Sequence, residues 1–163
     1  APTELTIIDG GFEEARLEAW GAYYDKTAEN FVVGGEGVAS SRCARLIVSS
    51  GHSIDGISQR IPLSFKIRRV VVECWIRVKG QTEASLHVEC RNPHLQELDG
   101  HEIYGQLRVK SSEPVTGVNE WKKVTVDIEV PAQTSEIWVF GTTDKVSNDS
   151  EVYFDDFKIV KVE

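Results

Sequence analysis

Three stretches of this chain alternate between apolar and polar residues with a period of two. Val70, Val72, Cys74, Ile76 and Val78 interleave with Val71, Glu73, Trp75 and Arg77. Ala84, Leu86, Val88 and Cys90 interleave with Ser85, His87, Glu89 and Arg91, and Val124, Val126, Ile128 and Val130 with Thr125, Asp127 and Glu129. Successive side chains of an extended backbone point to opposite faces, so each stretch reads as a strand with one face in a core. Further apolar runs at 4–8, 30–34, 43–49, 57–63, 103–109, 135–142 and 151–162 extend the set. Turn formers separate them: Gly34-Gly35, Gly51, Asp55-Gly56, Asn92-Pro93, Asp99-Gly100 and Pro131. The one candidate helical turn is Glu13–Glu18. Many strands without a strand–helix–strand rhythm predict an all-β chain, a β-sandwich jelly roll of two antiparallel sheets. The length of 163 residues suits a single domain over 1–163.

Composition narrows the partners. The formal net charge is −8 and the pI about 5.1, whereas a nucleic-acid binder needs a basic footprint, so no nucleic acid is expected. No run approaches the roughly 18 apolar residues of a membrane helix, so no membrane partner is expected either. The opening Ala1-Pro2-Thr3-Glu4 lacks the charged start and apolar segment of a signal peptide. A mature secreted product and an excised domain both fit that start. Cys43, Cys74 and Cys90 are odd in number and scattered, which matches neither a disulfide framework nor a zinc site. They read as buried thiols.

Lys79-Gly80-Gln81 separates the first two alternating strands, and a hairpin there keeps their even-numbered residues on one face. Glu73 would then oppose His87, Trp75 oppose Ser85 and Arg77 oppose Glu83. Cys74 and Cys90 would lie too far out of register for a disulfide. One outward face would carry Glu73, Trp75, Arg77, His87, Glu89 and Arg91. An aromatic platform ringed by charged hydrogen-bonding groups is what recognition of a pyranose requires. A solvated face with cross-strand ion pairs reads the same pattern equally well.

The last apolar run, Val152-Tyr153-Phe154-Asp155-Asp156-Phe157-Lys158-Ile159, contains two adjacent carboxylates. Carboxylates are depleted from strands, and a buried one needs a partner. A cation would serve, and so would backbone N–H groups in a bulge. A second acidic segment, Asp9-Gly10-Gly11-Phe12-Glu13-Glu14, lies at the other end of the chain.

A set of short motifs, in order along the whole chain, resembles carbohydrate-binding modules of the family 4/9, 16 and 22 type. They are Gly10-Gly11-Phe12-Glu13-Glu14 followed by Trp20, Ile57-Ser58-Gln59-Arg60-Ile61, Trp75-Ile76-Arg77-Val78, Glu120-Trp121-Lys122-Lys123-Val124 with Val130-Pro131-Ala132, and Val152-Tyr153-Phe154-Asp155-Asp156. The resemblance implies a jelly-roll module that binds a soluble polysaccharide or oligosaccharide in a cleft on a concave sheet. It implies tethering to a catalytic domain, an extracellular or cell-surface location, and a structural calcium away from the cleft. That Ca2+ would be held by the carbonyl of Gly11, the side chains of Glu13 and Glu36, a carbonyl near Ala39 and the side chain of Asp155, with Asp156 a bystander or a backbone acceptor. The expected ligand-binding residues are Trp75, Glu73, Arg77, His87, Glu89 and Arg91, with Tyr104 and Trp138 as further cleft candidates. Trp138 shares a face with Phe140, opposite Ile137 and Val139, and either face could be core. Trp20 and Trp121 read as core or edge packing, and Tyr23 and Tyr24 as rim or core.

Three function classes compete. The first is a non-catalytic glycan-binding module, the preferred reading. The second is a small glycan-active enzyme, either a glycosidase using Glu73 and Glu89, since such pairs stand about 5–9.5 Å apart, or a lyase using His87 beside Arg91. The third is a structural or adhesion jelly roll with protein partners.

Overall fold

The alternating strands divide between two antiparallel sheets, which pack face to face. The computed structural model describes residues 5–13, 20–22, 32–33, 35–38, 41–48, 56–95, 105–144 and 150–163. Its strands are β1 (Gly21–Ala22), β2 (Val32–Val33), β3 (Cys43–Val48), β4 (Gly56–Pro62), β5 (Arg69–Lys79) and β6 (Glu83–Arg91). They continue with β7 (Gln106–Ser111), β8 (Val115–Thr116), β9 (Lys122–Glu129), β10 (Glu136–Asp144) and β11 (Ser150–Val162). Sheet A has the order β1-β4-β10-β6-β7, with β8 also on β6; sheet B has the order β2-β3-β11-β5-β9. The all-β sandwich is as the alternation predicted.

Most predicted runs lie on observed strands, with boundaries shifted by one to a few residues. Leu5–Ile8 is different: it forms no ladder. The backbone of Ile8 is met by a side chain instead, as Gln59 accepts from Ile8 N at 2.8 Å and donates to Ile8 O at 2.9 Å. Residues 14–18 of the predicted helical turn lie outside the described residues, as do Tyr23 and Tyr24.

The hairpin at Gly80 does not form. β5 pairs with β11 and β9, whereas β6 pairs with β10, β7 and β8. The segment between them carries the chain from one sheet to the other. The physical reason is parity. A hairpin and an inter-sheet arch both keep even-numbered residues inward, so alternation cannot tell them apart. The arch brings Val70, Val72, Cys74, Ile76 and Val78 from one side against Ala84, Leu86, Val88 and Cys90 from the other, nearly all fully buried in one cluster. All three cysteines are free and buried, as the spacing predicted, and burial pushes the Cys43 thiol up to about 12.

In β10 the choice of face is resolved. Ile137 and Val139 are in the core, and Trp138 and Phe140 point outward from sheet A but are covered by their neighbours, at 4% and 6% exposed. Gly141, on the inward side, leaves room for the other sheet: a Cβ there would stand 2.7 Å from the ring of Phe154.

β11 carries a bulge. Asp155 pairs with Trp75 and Lys158 with Glu73, so the ladder shifts at Asp156-Phe157. Asp156 sits at φ 49, in the left-handed region that Asp tolerates better than most residues. The bulge turns both Phe154 and Phe157 inward, and both are buried. Phe157 meets Phe12 and Trp20, with ring centroids 6.1 and 4.7 Å away, so Trp20 is core packing. Phe157 N donates to Gly10 O at 2.9 Å, and a Cβ on Gly10 would stand 2.0 Å from Phe157 O. The acidic segments at the two ends of the sequence therefore meet.

Candidate functional site

Because β5 and β6 belong to different sheets, the six residues predicted for one face are split. Glu73, Trp75 and Arg77 lie on the outer face of sheet B; His87, Glu89 and Arg91 lie on the outer face of sheet A. The two groups are on opposite sides of the sandwich, so Glu73 and Glu89 cannot act as an acid–base pair on one substrate. Tyr104 lies outside the described residues.

The face of sheet A is assembled in rows across β4, β10, β6 and β7. One row is Ser58, Phe140, His87 and Ser111; the next is Arg60, Trp138, Glu89 and Val109; the third is Pro62, Glu136, Arg91 and Gln106. Thus Trp138 joins His87, Glu89 and Arg91, and Arg60, Glu136 and Phe140 join them although the sequence did not single them out as site residues. Arg60 was legible only as part of a candidate strand and of the family-like motif Ile57–Ile61, and its neighbours depend on pairing between strands distant in sequence.

Trp138 stands between two guanidinium groups. The Cζ of Arg60 is 4.0 Å from the ring centroid on the β4 side, and the Cζ of Arg91 is 3.7 Å away on the β6 side. The indole Nε1 donates to Glu136 Oε2 at 2.6 Å. Each contact is a cation–π or charge-assisted interaction, and together they limit the rotamers of the ring. Phe140 follows at 6.1 Å from Trp138 and 5.3 Å from the His87 ring.

Glu89 anchors the β6 side. Arg91 donates to its Oε1 at 2.8 and 3.2 Å, Gln106 Nε2 donates to the same oxygen, and His87 Nε2 lies 3.4 Å from Oε2. His87 Nδ1 in turn lies 2.7 Å from Ser111 Oγ. Glu89 and Arg91 are only 4% and 6% exposed although they point away from the core. Burial raises the Glu89 carboxyl, but the hydrogen bonds from His87, Gln106 and Arg91 outweigh it and hold the group below the usual carboxylate range. A glycosidase acid needs the opposite shift.

Sheet B presents a looser face. Arg77 lies 4.0 Å over the Tyr153 ring and 5.5 Å from that of Trp121, and pairs with Glu36 at 2.8 Å. Trp121 is half-buried there, outside the main core. Glu73 pairs with Lys158 at 3.1 Å, and Trp75 is half-buried beside them. The edge residues Arg108 and Lys110 of β7 turn from sheet A towards β9, donating to the carbonyls of Glu129 and Asp127 at 3.2 and 2.7 Å.

The residues expected to hold calcium converge in part. Asp155 is fully buried, and its Oδ2 accepts from Val38 N at 3.0 Å and Ser41 Oγ at 3.3 Å. Its Oδ1 accepts from Asp156 N at 2.8 Å, and burial raises its carboxyl to about 6. Glu13 Oε1 accepts from Arg42 N at 3.0 Å, at the end of the same loop, and Gly11 lies beside Asp156. Glu36 turns instead to Arg77, and Ala39 lies outside the described residues. Among the described residues no group of three or more His, Cys, Asp or Glu side chains is arranged to hold a metal ion.

No family model matches the sequence, and no curated protein matches it. Solved structures do. A family 61 carbohydrate-binding module in complex with β-1,4-galactotriose matches at 17% identity and TM-score 0.66, covering 98% of this chain and 99% of that one. The family 22 and catalytic modules of a Clostridium thermocellum xylanase, complexed with xylohexaose, match at 18% identity and TM-score 0.67, covering 96% of this chain and 29% of that one. The K3 adhesin domain of Lys-gingipain from Porphyromonas gingivalis matches at 12% identity and TM-score 0.56, covering 95% and 98%. The chain therefore has the β-sandwich fold that carbohydrate-binding modules use, a fold also found in an adhesin.

Proposed function

We propose that this protein is a non-catalytic module that binds a soluble glycan chain on the outer face of sheet A. The observation that carries the reading is Trp138, fixed between Arg60 and Arg91 and tied at Nε1 to Glu136, in the midst of His87, Glu89 and Ser111. A buried ion pair on an outward face adds little to folding. It does hold planar polar groups in one orientation, which hydroxyl-directed recognition needs. Bound oligosaccharides in structures of the same fold support the glycan reading. Tethering to a catalytic domain and an extracellular location belong to the same reading.

The test is calorimetry against a panel of soluble polysaccharides, with thermal melts to show that each variant is folded. Trp138→Ala should abolish binding and Trp75→Ala, on the opposite face, should leave it near wild type. Loss in Trp75→Ala alone would move the site to sheet B, and no binding by the wild type to any polymer would end the reading.

The same proposal includes a structural calcium that ties Gly11 and Glu13 to Asp155. Hard oxygen donors of mixed carboxylate and carbonyl type suit that ion. Glu36 would join after leaving Arg77. An ion bound only by the folded state, at about 100 times its Kd, stabilises by about 2.7 kcal/mol. Chelation should then lower the melting temperature by several degrees; an unchanged melt in chelator removes the ion from the account.

A further inference from the structure

The face of sheet A holds two guanidinium groups in different electrostatic settings. Arg91 is neutralised by Glu89 at 2.8 Å. Arg60 is exposed and, among the described residues, forms no ion pair; its Cζ lies over the Trp138 ring, 4.0 Å from the centroid. We propose that Arg60 is a carboxylate receptor, and that the glycan bound on this face is a neutral backbone carrying isolated uronic-acid substituents. The inference rests on the glycan reading above.

A guanidinium carries five N–H donors in a planar fork, and among the described residues no carboxylate pairs with those of Arg60. A guanidinium held this way presents a fork that matches a carboxylate in a bidentate pair, with part of its rotamer entropy already lost. The indole also partitions charge. Glu89 and Arg91 lie on its β6 side, and the Glu136 carboxylate is bound to its Nε1 edge. Arg60 stands on the β4 side, with the Ser58 hydroxyl two residues along on the same face. The chain as a whole carries a net charge of −8, and two carboxylates lie near the site. A continuous polyanion would be repelled by that field, whereas a single carboxylate placed within a Debye length of Arg60 is attracted locally. The combination selects sparse uronate substituents over a polyuronate chain.

The experiment is calorimetry at low and moderate salt with glucuronoxylan, the same polymer after carboxyl reduction, and polygalacturonate. Wild type should prefer glucuronoxylan over its reduced form by about tenfold, as a hydrogen-bonded charge pair commonly gives, and the preference should shrink with salt. Arg60→Gln should bring the ratio to one, and Arg60→Lys should retain part of it. Equal binding of both forms by wild type, a ratio unchanged in Arg60→Gln, or tightest binding to polygalacturonate would each overturn the proposal while leaving a glycan-binding module in place. Failure of every polymer, neutral ones included, would overturn the underlying reading and this proposal with it.

Discussion

On sheet A the pair Glu89–Arg91 has side chains 5% and 7% exposed; on sheet B the Lys158 partner of Glu73 is 61% exposed. Both faces combine Trp, Arg and Glu on neighbouring strands. On sheet A the charged groups cross-brace one another and clamp an indole. On sheet B the ion pairs of Glu73 with Lys158 and of Arg77 with Glu36 each have one covered and one open partner, and the aromatic contacts gather around Arg77 at one end. The difference shows that residue type alone does not make a site. Enclosure turns an ion pair from a solvated decoration into a positioning element, because the dielectric falls and alternatives in water disappear.

The comparison can be broken by mutation. Arg91→Ala leaves the Glu89 charge buried without its main partner and should cost about 3–5 kcal/mol in urea unfolding. A cost near that of a surface substitution would show that the face is not enclosed in solution. A smaller effect is expected from pH. The Glu89 carboxyl titrates lower in the fold than in the unfolded chain, so its network stabilises above the ordinary glutamate range. That stability is lost as pH falls through the lowered folded value. The melting-temperature gap between wild type and Glu89→Gln should therefore narrow in acid, and a gap independent of pH would remove Glu89 as its source. The smallest effect is on sheet B: Lys158→Ala should change stability by less than about 1 kcal/mol. A loss comparable to Arg91→Ala would erase the contrast between the faces.

The strands themselves were legible in the sequence. Alternation placed Val70–Val78, Ala84–Cys90 and Val124–Val130 on strands and assigned their inward residues correctly. The sheet to which each strand belongs was not legible, since inward parity is the same for a hairpin and for an arch at Gly80. That one ambiguity divided the predicted face in two. His87, Glu89, Arg91 and Trp138 come together because β6 and β10 are neighbours, and nothing in the spacing of those segments indicates it. Arg60 needed a further long-range pairing, of β4 with β10. The meeting of Gly10 with Phe157 was foreshadowed by two glycine-acidic segments at the chain ends, while the orientation of Glu36 towards Arg77 depended on a side-chain choice that no pattern encodes.

β11, the latest strand in the sequence, is not an edge strand. It is inserted between β3 and β5, and its bulge receives the turn at Gly10. Two halves of sheet B therefore have no ladder to each other until the final residues are available. During synthesis everything up to β11 must leave the ribosome before this interior can close, with apolar β5 faces waiting on the last of these strands. Such non-local closure is slow and leaves unpaired strands exposed in the meantime.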